Sequence, residues 1–395
     1  MTTFSVKFLG CKISHTDAAA VRERLLADGH VERAGGAEIA VVNTCCVTNE
    51  ALSKSRQAAS RAARTHRRVY VTGCGANLEG AWERMPENVV VVDRRSEQTP
   101  QFVAGDVGAI GCVQRDHRLE RVRAFVKIQD GCSFSCSFCV VPLVRGATRS
   151  RAADDILREI RKRVAQGHRE VVLTGINLGL FRARDGGRSL ARLVHEAAET
   201  PDLARLRLSS IEVNHLTPEL VNAMRDAPNV AKHLHVPLQS GDDGVLRAMA
   251  RRYDAATYLR KVALADGFNL TADVIVGFPT ETDAAFANTL RVVAEAGITR
   301  LHVFPYSPRP GTRTAADDTV PPHVKRERGA RLRAASDIAC LEHWRRKVGT
   351  TDTVLVDRPG RGYGDDYSPW LVRGNVGELV RVRAAAVTDE GILAA

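Results

Sequence analysis

Apolar and polar positions along the first 95 residues alternate between two periods. Phe4–Phe8 reads as a short strand, and Asp17–Ala27 places Ala, Val and Leu at helical spacing before a stop at Gly29. Glu38–Asn43 is a second strand, and a basic, Ala-rich helix follows over about Glu50–Arg64. Arg68–Thr72 is a third strand, a short helix comes next, and Asn88–Val92 is a fourth strand. Strand–helix alternation of this kind predicts an open parallel sheet with crossover helices. Residues 96–121 show no clear period and read as a linker, with Cys112 incidental within it.

From 122 to 345 a strand–loop–helix unit repeats about six times. The predicted strands are Ala124–Ile128, Glu170–Leu173, Ala204–Leu208, His233–Leu238, Thr271–Val276 and Leu301–Phe304. The predicted helices lie near Asp154–Ala165, Leu190–Ala197, Pro218–Arg225, Ala255–Ala265 and Thr282–Ala296. Six units are too few to close an eight-stranded barrel and suit a partial (βα)6 barrel, whose site belongs at the carboxyl ends of the strands. Val324–Val348 reads as a long basic helix, with Cys340 in its apolar stripe. Residues 349–395 change to short strands, Thr353–Asp357, Trp370–Val372 and Leu379–Ala385, around the glycine-rich turn region Pro359–Asp366. A small β-barrel there fits an RNA-gripping module, and Tyr363, Tyr367 and Trp370 either stack on bases or fill its core.

Length and composition agree with an α/β protein of two or three domains: 395 residues, 44% apolar and 26% charged. The formal net charge of +11 favours an anionic partner, with RNA the leading candidate. No signal pattern and no apolar run of membrane-spanning length is present, so the expectation is a cytoplasmic protein without a membrane partner. In that compartment nine cysteines point to metal or redox chemistry rather than disulfides.

The chemistry concentrates in Cys132-Ser-Phe-Ser-Cys136-Ser-Phe-Cys139, just after the first strand of the partial barrel. Three thiolates leave one position open on a metal, or on one iron of a four-iron cluster. Structural zinc sites bring a fourth Cys or His in paired spacing, and none follows Cys139 closely, so a 4Fe–4S cluster fits better. Its free iron can chelate the amino and carboxylate groups of S-adenosylmethionine. Three more cysteines, Cys11, Cys45 and Cys74, each end a strand of the N-terminal sheet and are expected to meet at its carboxyl edge as a second three-thiolate site. Cys45 is preferred over its neighbour Cys46 because adjacent side chains of an extended segment point opposite ways. Gly10 and Gly73 suit a chain turning sharply off its strand. Asn177, Glu212, Gln239 and Arg309 follow later strands and are nominated by position for the S-adenosylmethionine pocket.

Along its whole length the chain resembles the radical S-adenosylmethionine methylthiotransferases. The segments that carry the resemblance are Leu9-Gly-Cys11-Lys12, Asn43-Thr-Cys45 with Val47-Thr48, Thr72-Gly-Cys74, Gln129-Asp-Gly-Cys132 through Cys139-Val-Val-Pro142, Arg145-Gly146, Leu238-Gln-Ser-Gly241 and Tyr306-Ser-Pro-Arg309-Pro-Gly311-Thr312. The resemblance implies an N-terminal methylthiotransferase domain (1–95), a radical core (122–348) and a C-terminal TRAM barrel (349–395). It also implies two 4Fe–4S clusters, a radical-generating one on Cys132, Cys136 and Cys139 and an auxiliary one on Cys11, Cys45 and Cys74. An external low-potential electron donor and a sulfur source are implied as well. Phe125–Cys132, Leu173–Gly179 and His302–Pro310 look most like the branch that modifies N6-threonylcarbamoyladenosine beside the anticodon of tRNA. Isopentenyladenosine in tRNA or an aspartate of a ribosomal protein are alternative substrates within the family. A zinc-holding, non-catalytic RNA-binding protein is the alternative of another class. Cys46, Gly75, Leu143 and Thr280 depart from the family pattern.

Overall fold

The computed structural model describes residues 1–93, 97–108 and 122–395. Cys112 and most of the expected linker lie outside the described residues. The chain divides into two compact units, and the division differs from the one expected. One unit joins the N-terminal residues to Gly131–Thr148 and Ser307–Ala316. The other contains residues 122–130, Arg149–Tyr306 and Asp317–Ala395. The cysteine loop of the radical core therefore belongs to the same unit as the N-terminal sheet.

In the first unit, strands β1 (Thr3–Phe8), β2 (Val31–Glu32), β3 (Ile39–Thr44), β4 (Arg68–Gly73) and β5 (Val89–Val91) form one parallel sheet in the order β2-β1-β3-β4-β5. Every residue of β3 is buried because helices cover both sheet faces. On one face α1 (Lys12–Ala27) and α3 (Thr99–Val107) pack Val21, Leu25, Val103 and Ala104 against Phe4, Val41 and Tyr70. On the other, α2 (Asn49–Ala63) sets Ala58 and Ala59 against Val42, Val69 and Val71. Helix α3 occupies what was read as the start of the linker; Pro100 in its first turn and Gly108 past its last are its start and stop signals. Helix α1 also begins five residues earlier than its apolar stripe implied, with Cys11 as N-cap. A fourth short helix, α4 (Val141–Arg145), follows the cysteine loop, and its Val140 and Val144 neighbourhood joins the core that holds Cys46 and Cys74.

The second unit is built on β6 (Arg123–Lys127), with the short pair β7 (Gln129–Asp130) and β8 (Arg149–Ser150), then α5 (Ala153–Ala165), β9 (Glu170–Thr174), α6 (Leu190–Ala198), β10 (Arg205–Leu208), α7 (Pro218–Asp226), β11 (His233–His235), α8 (Asp243–Ala248), α9 (Ala255–Val262), β12 (Asn269–Val276), α10 (Asp283–Glu295) and β13 (Ile298–Pro305). The six major strands run parallel, β6-β9-β10 and β11-β12-β13, and the bridges Leu206–Val230 and Ser210–His235 join the two halves. Val126, Val171, Leu206, Leu234, Ala272 and Val274 face outward into the core under the helices. Alternate residues then line the concave side, among them Glu170, Arg207, His233, His235 and Asp273.

Helix α11 (Pro322–Lys347) leads into a closed five-stranded barrel of β14 (Thr351–Arg358), β15 (Arg361–Tyr363), β16 (Pro369–Leu371), β17 (Leu379–Thr388) and β18 (Gly391–Ala394). The turn region Pro359–Asp366 contains β15, and β18 is a strand that sequence pattern did not suggest. Part of the basic face of α11 is structural: Lys325 is buried against Asp318 and the Tyr306 carbonyl, and Arg328 pairs with Glu281 at 2.7 Å and Asp283 at 2.8 Å. Cys340 donates to the Thr299 carbonyl at 2.9 Å from within a buried cluster.

The aromatics considered for base stacking are used internally. Trp370 is 1% exposed and fills the small barrel. Tyr363 and Tyr367 stack with centroids 5.0 Å apart, and the Arg207 guanidinium lies 4.6 Å from the Tyr367 ring. Arg205 and Arg207 donate to the carbonyls of Tyr363, Gly364 and Asp365, while both hold the buried carboxylate of Glu170 at 3.1–3.2 Å. Burial alone raises the Glu170 pKa, but Arg207, Arg205 and Arg123 outweigh it and hold the carboxyl below its usual range. With Arg123 against the Tyr363 and Tyr367 rings and His233 beside Tyr367, these contacts fall near the starts of β6, β9, β10 and β11. The turn thus closes the amino end of the partial barrel and leaves the carboxyl end for ligands.

Candidate functional site

The ends of β1, β3 and β4 bring Cys11, Cys45 and Cys74 together. Each thiol lies close enough that the charge of one raises the pKa of another: Cys11 acts on Cys45, and Cys11 and Cys45 act on Cys74. Gly10 makes this approach possible. It adopts φ +117°, and a Cβ there would fall 2.8 Å from Ser14 Oγ and 3.0 Å from Cys45 Cβ. The Ser55 hydroxyl of α2 accepts from the Cys45 N–H at 3.1 Å and donates to the Cys45 carbonyl at 3.2 Å, which fixes that segment. Cys45 is turned toward Gly10, whereas Cys46 is fully buried and packs in the apolar core with Val42, Ala58 and Val140. Both residues lie just past the end of β3, and Cys46 also stands near the set, since the charges of Cys74 and Cys45 raise its thiol further. Gly75 leaves no space for a side chain, since a Cβ there would lie 2.6 Å from Thr44 Oγ1.

Two buried arginines stand at this site. Arg145, on α4 after the radical loop, donates from Nε to Cys74 Sγ at 2.9 Å and from Nη2 to Asp17 Oδ2 at 2.8 Å. Arg309 donates from Nη1 to the Cys46 carbonyl at 3.3 Å and from Nη2 to Ser307 Oγ at 2.5 Å. Arg309 was nominated for the cofactor pocket of the barrel; the structure places it in the unit of the N-terminal cysteines. Burial pushes the Cys74 thiol up to about 12 and raises Cys45, with Arg145 opposing the shift at both.

Residues Cys132–Cys139 form a clasped loop. The Cys132 N–H donates to the Gly146 carbonyl at 3.1 Å, and Ser133 and Thr148 exchange backbone-to-hydroxyl bonds at 3.0 and 3.1 Å. Gly131 (φ +68°) starts the loop, and a Cβ there would sit 2.2 Å from the Ala147 carbonyl oxygen. Arg313 donates to the Ser135 carbonyl at 2.6 Å and Thr314 to that of Ser137 at 3.2 Å. All three loop cysteines are half-exposed. Sequence reading missed the helpers of both sites: Arg145, Ser55, Thr148, Arg313 and Thr314. Arg145-Gly146 stood out as a motif, but its partner Cys74 is 71 residues away.

In the second unit Asn177 and Glu212 follow β9 and β10. Gln239 lies beyond β11 with φ +66° and bridges Val274 of β12. The Asn177 N–H donates to Gln129 Oε1 at 2.9 Å, while Asn177 Oδ1 and Ser209 Oγ are buried with no hydrogen-bond partner. Glu212 lies 3.5 Å from Arg251, and burial raises its carboxyl despite that charge. Two orphaned polar atoms at adjacent strand ends suit a polar ligand such as S-adenosylmethionine. Likewise, two sets of three thiols, one flanked by buried guanidinium groups, suit anionic iron–sulfur clusters. On the concave face, His235, Asp273 and His302 also gather, with His235 Nε2 3.1 Å from Asp273 Oδ1.

A partial βα barrel with a three-cysteine loop after its first strand defines a radical S-adenosylmethionine enzyme. The profile of the Radical SAM superfamily matches residues 126–293, and that of the Uncharacterized protein family UPF0004 matches residues 3–93. Threonylcarbamoyladenosine tRNA methylthiotransferase MtaB of Thermotoga maritima is 32% identical over 100% of this chain and 96% of its own length. Its namesake from Bacillus subtilis is 32% identical over 97% and 94%. tRNA-2-methylthio-N(6)-dimethylallyladenosine synthase of Sorangium cellulosum is 36% identical over 98% and 89%. Among solved structures, the radical S-adenosylmethionine methyltransferase TsrM of Kitasatospora setae shares the fold, with TM-score 0.57 at 14% identity over 80% of this chain and 77% of its own. The chain belongs to the radical S-adenosylmethionine methylthiotransferase family. It is a transferase, and membership implies S-adenosylmethionine and a 4Fe–4S cluster as cofactors.

Proposed function

We propose that this protein methylthiolates C2 of N6-threonylcarbamoyladenosine beside the anticodon of tRNA, in the cytoplasm. Cys132, Cys136 and Cys139 hold the radical-generating 4Fe–4S cluster, and Cys11, Cys45 and Cys74 hold an auxiliary one. When bound, the two clusters and S-adenosylmethionine supply radical abstraction at an unactivated C–H bond and a sulfur to be methylated, chemistry that no side-chain acid or base provides. An external low-potential electron donor and a sulfur source complete the reaction. The chain's own part is to fix both thiol sets: Gly131, Ser133 and Thr148 shape one loop, and Gly10, Ser55 and Arg145 position the other. Asn177 and Ser209 offer polar atoms to the cofactor at the carboxyl ends of β9 and β10.

What supports the reading is that both sets of three cysteines fall in one compact unit, where Arg145 reaches Cys74 and Thr314 reaches the Ser137 carbonyl from distant sequence. End-to-end similarity to enzymes named for threonylcarbamoyladenosine supports the choice of substrate. The second reading is N6-dimethylallyladenosine, favoured by 36% identity to the Sorangium enzyme. Nucleoside mass spectrometry of tRNA from a deletion strain separates them. The methylthio group should disappear from threonylcarbamoyladenosine and remain on dimethylallyladenosine; the reverse pattern replaces the first reading with the second.

A further inference from the structure

The first unit contains an open cleft of about 540 Å³ that runs along α2 and is lined by Arg56, Arg61, Arg64 and Arg84. We propose that this cleft binds the phosphodiester backbone of the RNA substrate; the inference rests on the tRNA reading above and adds where the RNA is held.

Four guanidinium groups around one concavity repel one another unless an anion is present. No carboxylate lines the cleft, and among the described residues none of the four arginines is ion-paired. Elsewhere on α2 the usual solution is visible, since Lys54 pairs with Glu50 at 2.5 Å. Apart from Leu52 and Met85, the rest of the wall is polar: Asn49, Ser53, Gln57 and Ser60 supply further hydrogen-bonding groups. From Arg56 to Arg64 the helix rises about 12 Å, eight residues at about 1.5 Å each, so the charges are spread beyond the reach of a single phosphate. A chain of phosphates matches that spread, and planar guanidinium forks suit phosphate oxygens.

The position also fits a substrate strand. Asn49, at one end of the cleft, is three residues past Cys46, and α2 is the helix whose Ser55 fixes Cys45. An RNA backbone lying along α2 is therefore continuous with the edge of the sheet that gathers the N-terminal cysteines. Contacts of this kind position an RNA without reading its sequence.

The test uses the reconstituted full chain and unmodified tRNA, with binding followed by fluorescence anisotropy across a salt series. In the variant Arg56→Gln/Arg61→Gln/Arg64→Gln/Arg84→Gln, the Kd at about 0.1 M salt should rise roughly 10- to 100-fold, and the slope of log K against log salt should flatten by about 3. A control carrying Arg158→Gln/Arg161→Gln/Lys162→Gln/Arg192→Gln loses the same formal charge from exposed helix positions and should keep the slope. Iron content equal to wild type shows that the variant is folded. Equal Kd and slope for the cleft variant and wild type overturn the cleft assignment alone. Absence of tRNA binding by wild type overturns the tRNA reading and the cleft together. A defect confined to cluster reduction by an acidic electron-carrier protein also overturns the assignment, because the cleft then serves that partner instead.

Discussion

Replacing Arg145 with Gln should cost the protein both stability and one of the two iron–sulfur sites proposed for it. The guanidinium bridges Cys74 Sγ and the Asp17 carboxylate, and both members of the ion pair are only 5% exposed. Removing one partner of a buried pair typically costs about 3–5 kcal/mol, because the other charge stays buried. The same side chain is a cation beside a thiol that burial otherwise keeps protonated. The N-terminal site should therefore lose its cluster, leaving about four irons of the eight that two four-iron clusters imply. Reductive cleavage of S-adenosylmethionine to 5′-deoxyadenosine should continue, while the methylthiolated product disappears. Arg145→Lys retains the charge without the two-pronged geometry and should fall between. A variant with full iron content and an unchanged melting temperature would show that Arg145 supports neither site.

The second large effect is at the other loop. Cys136→Ala should leave the N-terminal cluster in place, again about four irons, but abolish 5′-deoxyadenosine formation. Cys136 is half-exposed and its carbonyl accepts from the Cys139 N–H at 3.2 Å, so the substitution removes a ligand without opening the core. Continued formation of 5′-deoxyadenosine would mean that this loop does not hold the radical-generating cluster. The two variants are complementary: one spares S-adenosylmethionine cleavage and loses product, and the other loses both.

Much of this architecture was legible in the sequence because it is written in short-range pattern. The six barrel strands fall within a few residues of the periodicity reading, since β9 is a near-continuous apolar run and β10 and β11 alternate polar and apolar residues. Cys11, Cys45 and Cys74 could be grouped because parallel topology places successive strand ends on one edge. What escaped depended on contacts distant in sequence. Arg145 meets Cys74, and Arg309 meets the carbonyl of Cys46 263 residues away. Position after β13 nominated Arg309 for the cofactor pocket, and the segment Ser307–Ala316 shares a unit with both the N-terminal sheet and the Cys132–Cys139 loop. For Tyr363 and Tyr367 the sequence left base stacking and core filling level, and only tertiary structure reveals Arg207 and Arg123 against their rings. Helix α1 began early for a local reason: Lys12, Ser14 and His15 interrupt its apolar stripe although the backbone is already helical.

That difference bears on RNA binding. Trp370 is buried, and Tyr363 and Tyr367 stack on each other and against Arg123 and Arg207. Arg381 and Arg383 on β17 and Arg358 at the end of β14 remain exposed there. Under the proposed function, these exposed arginines and the arginine cleft on α2 would hold RNA through its backbone, and tRNA affinity should then depend strongly on salt.

The central claim is that the chain holds two four-iron clusters rather than a single metal ion. Iron and acid-labile sulfide analysis of the anaerobically reconstituted protein tests it most directly. Two clusters predict a brown protein with about eight irons and about eight sulfides per chain. A colourless protein with stoichiometric zinc and no labile sulfide contradicts the account and favours a zinc-holding RNA-binding protein.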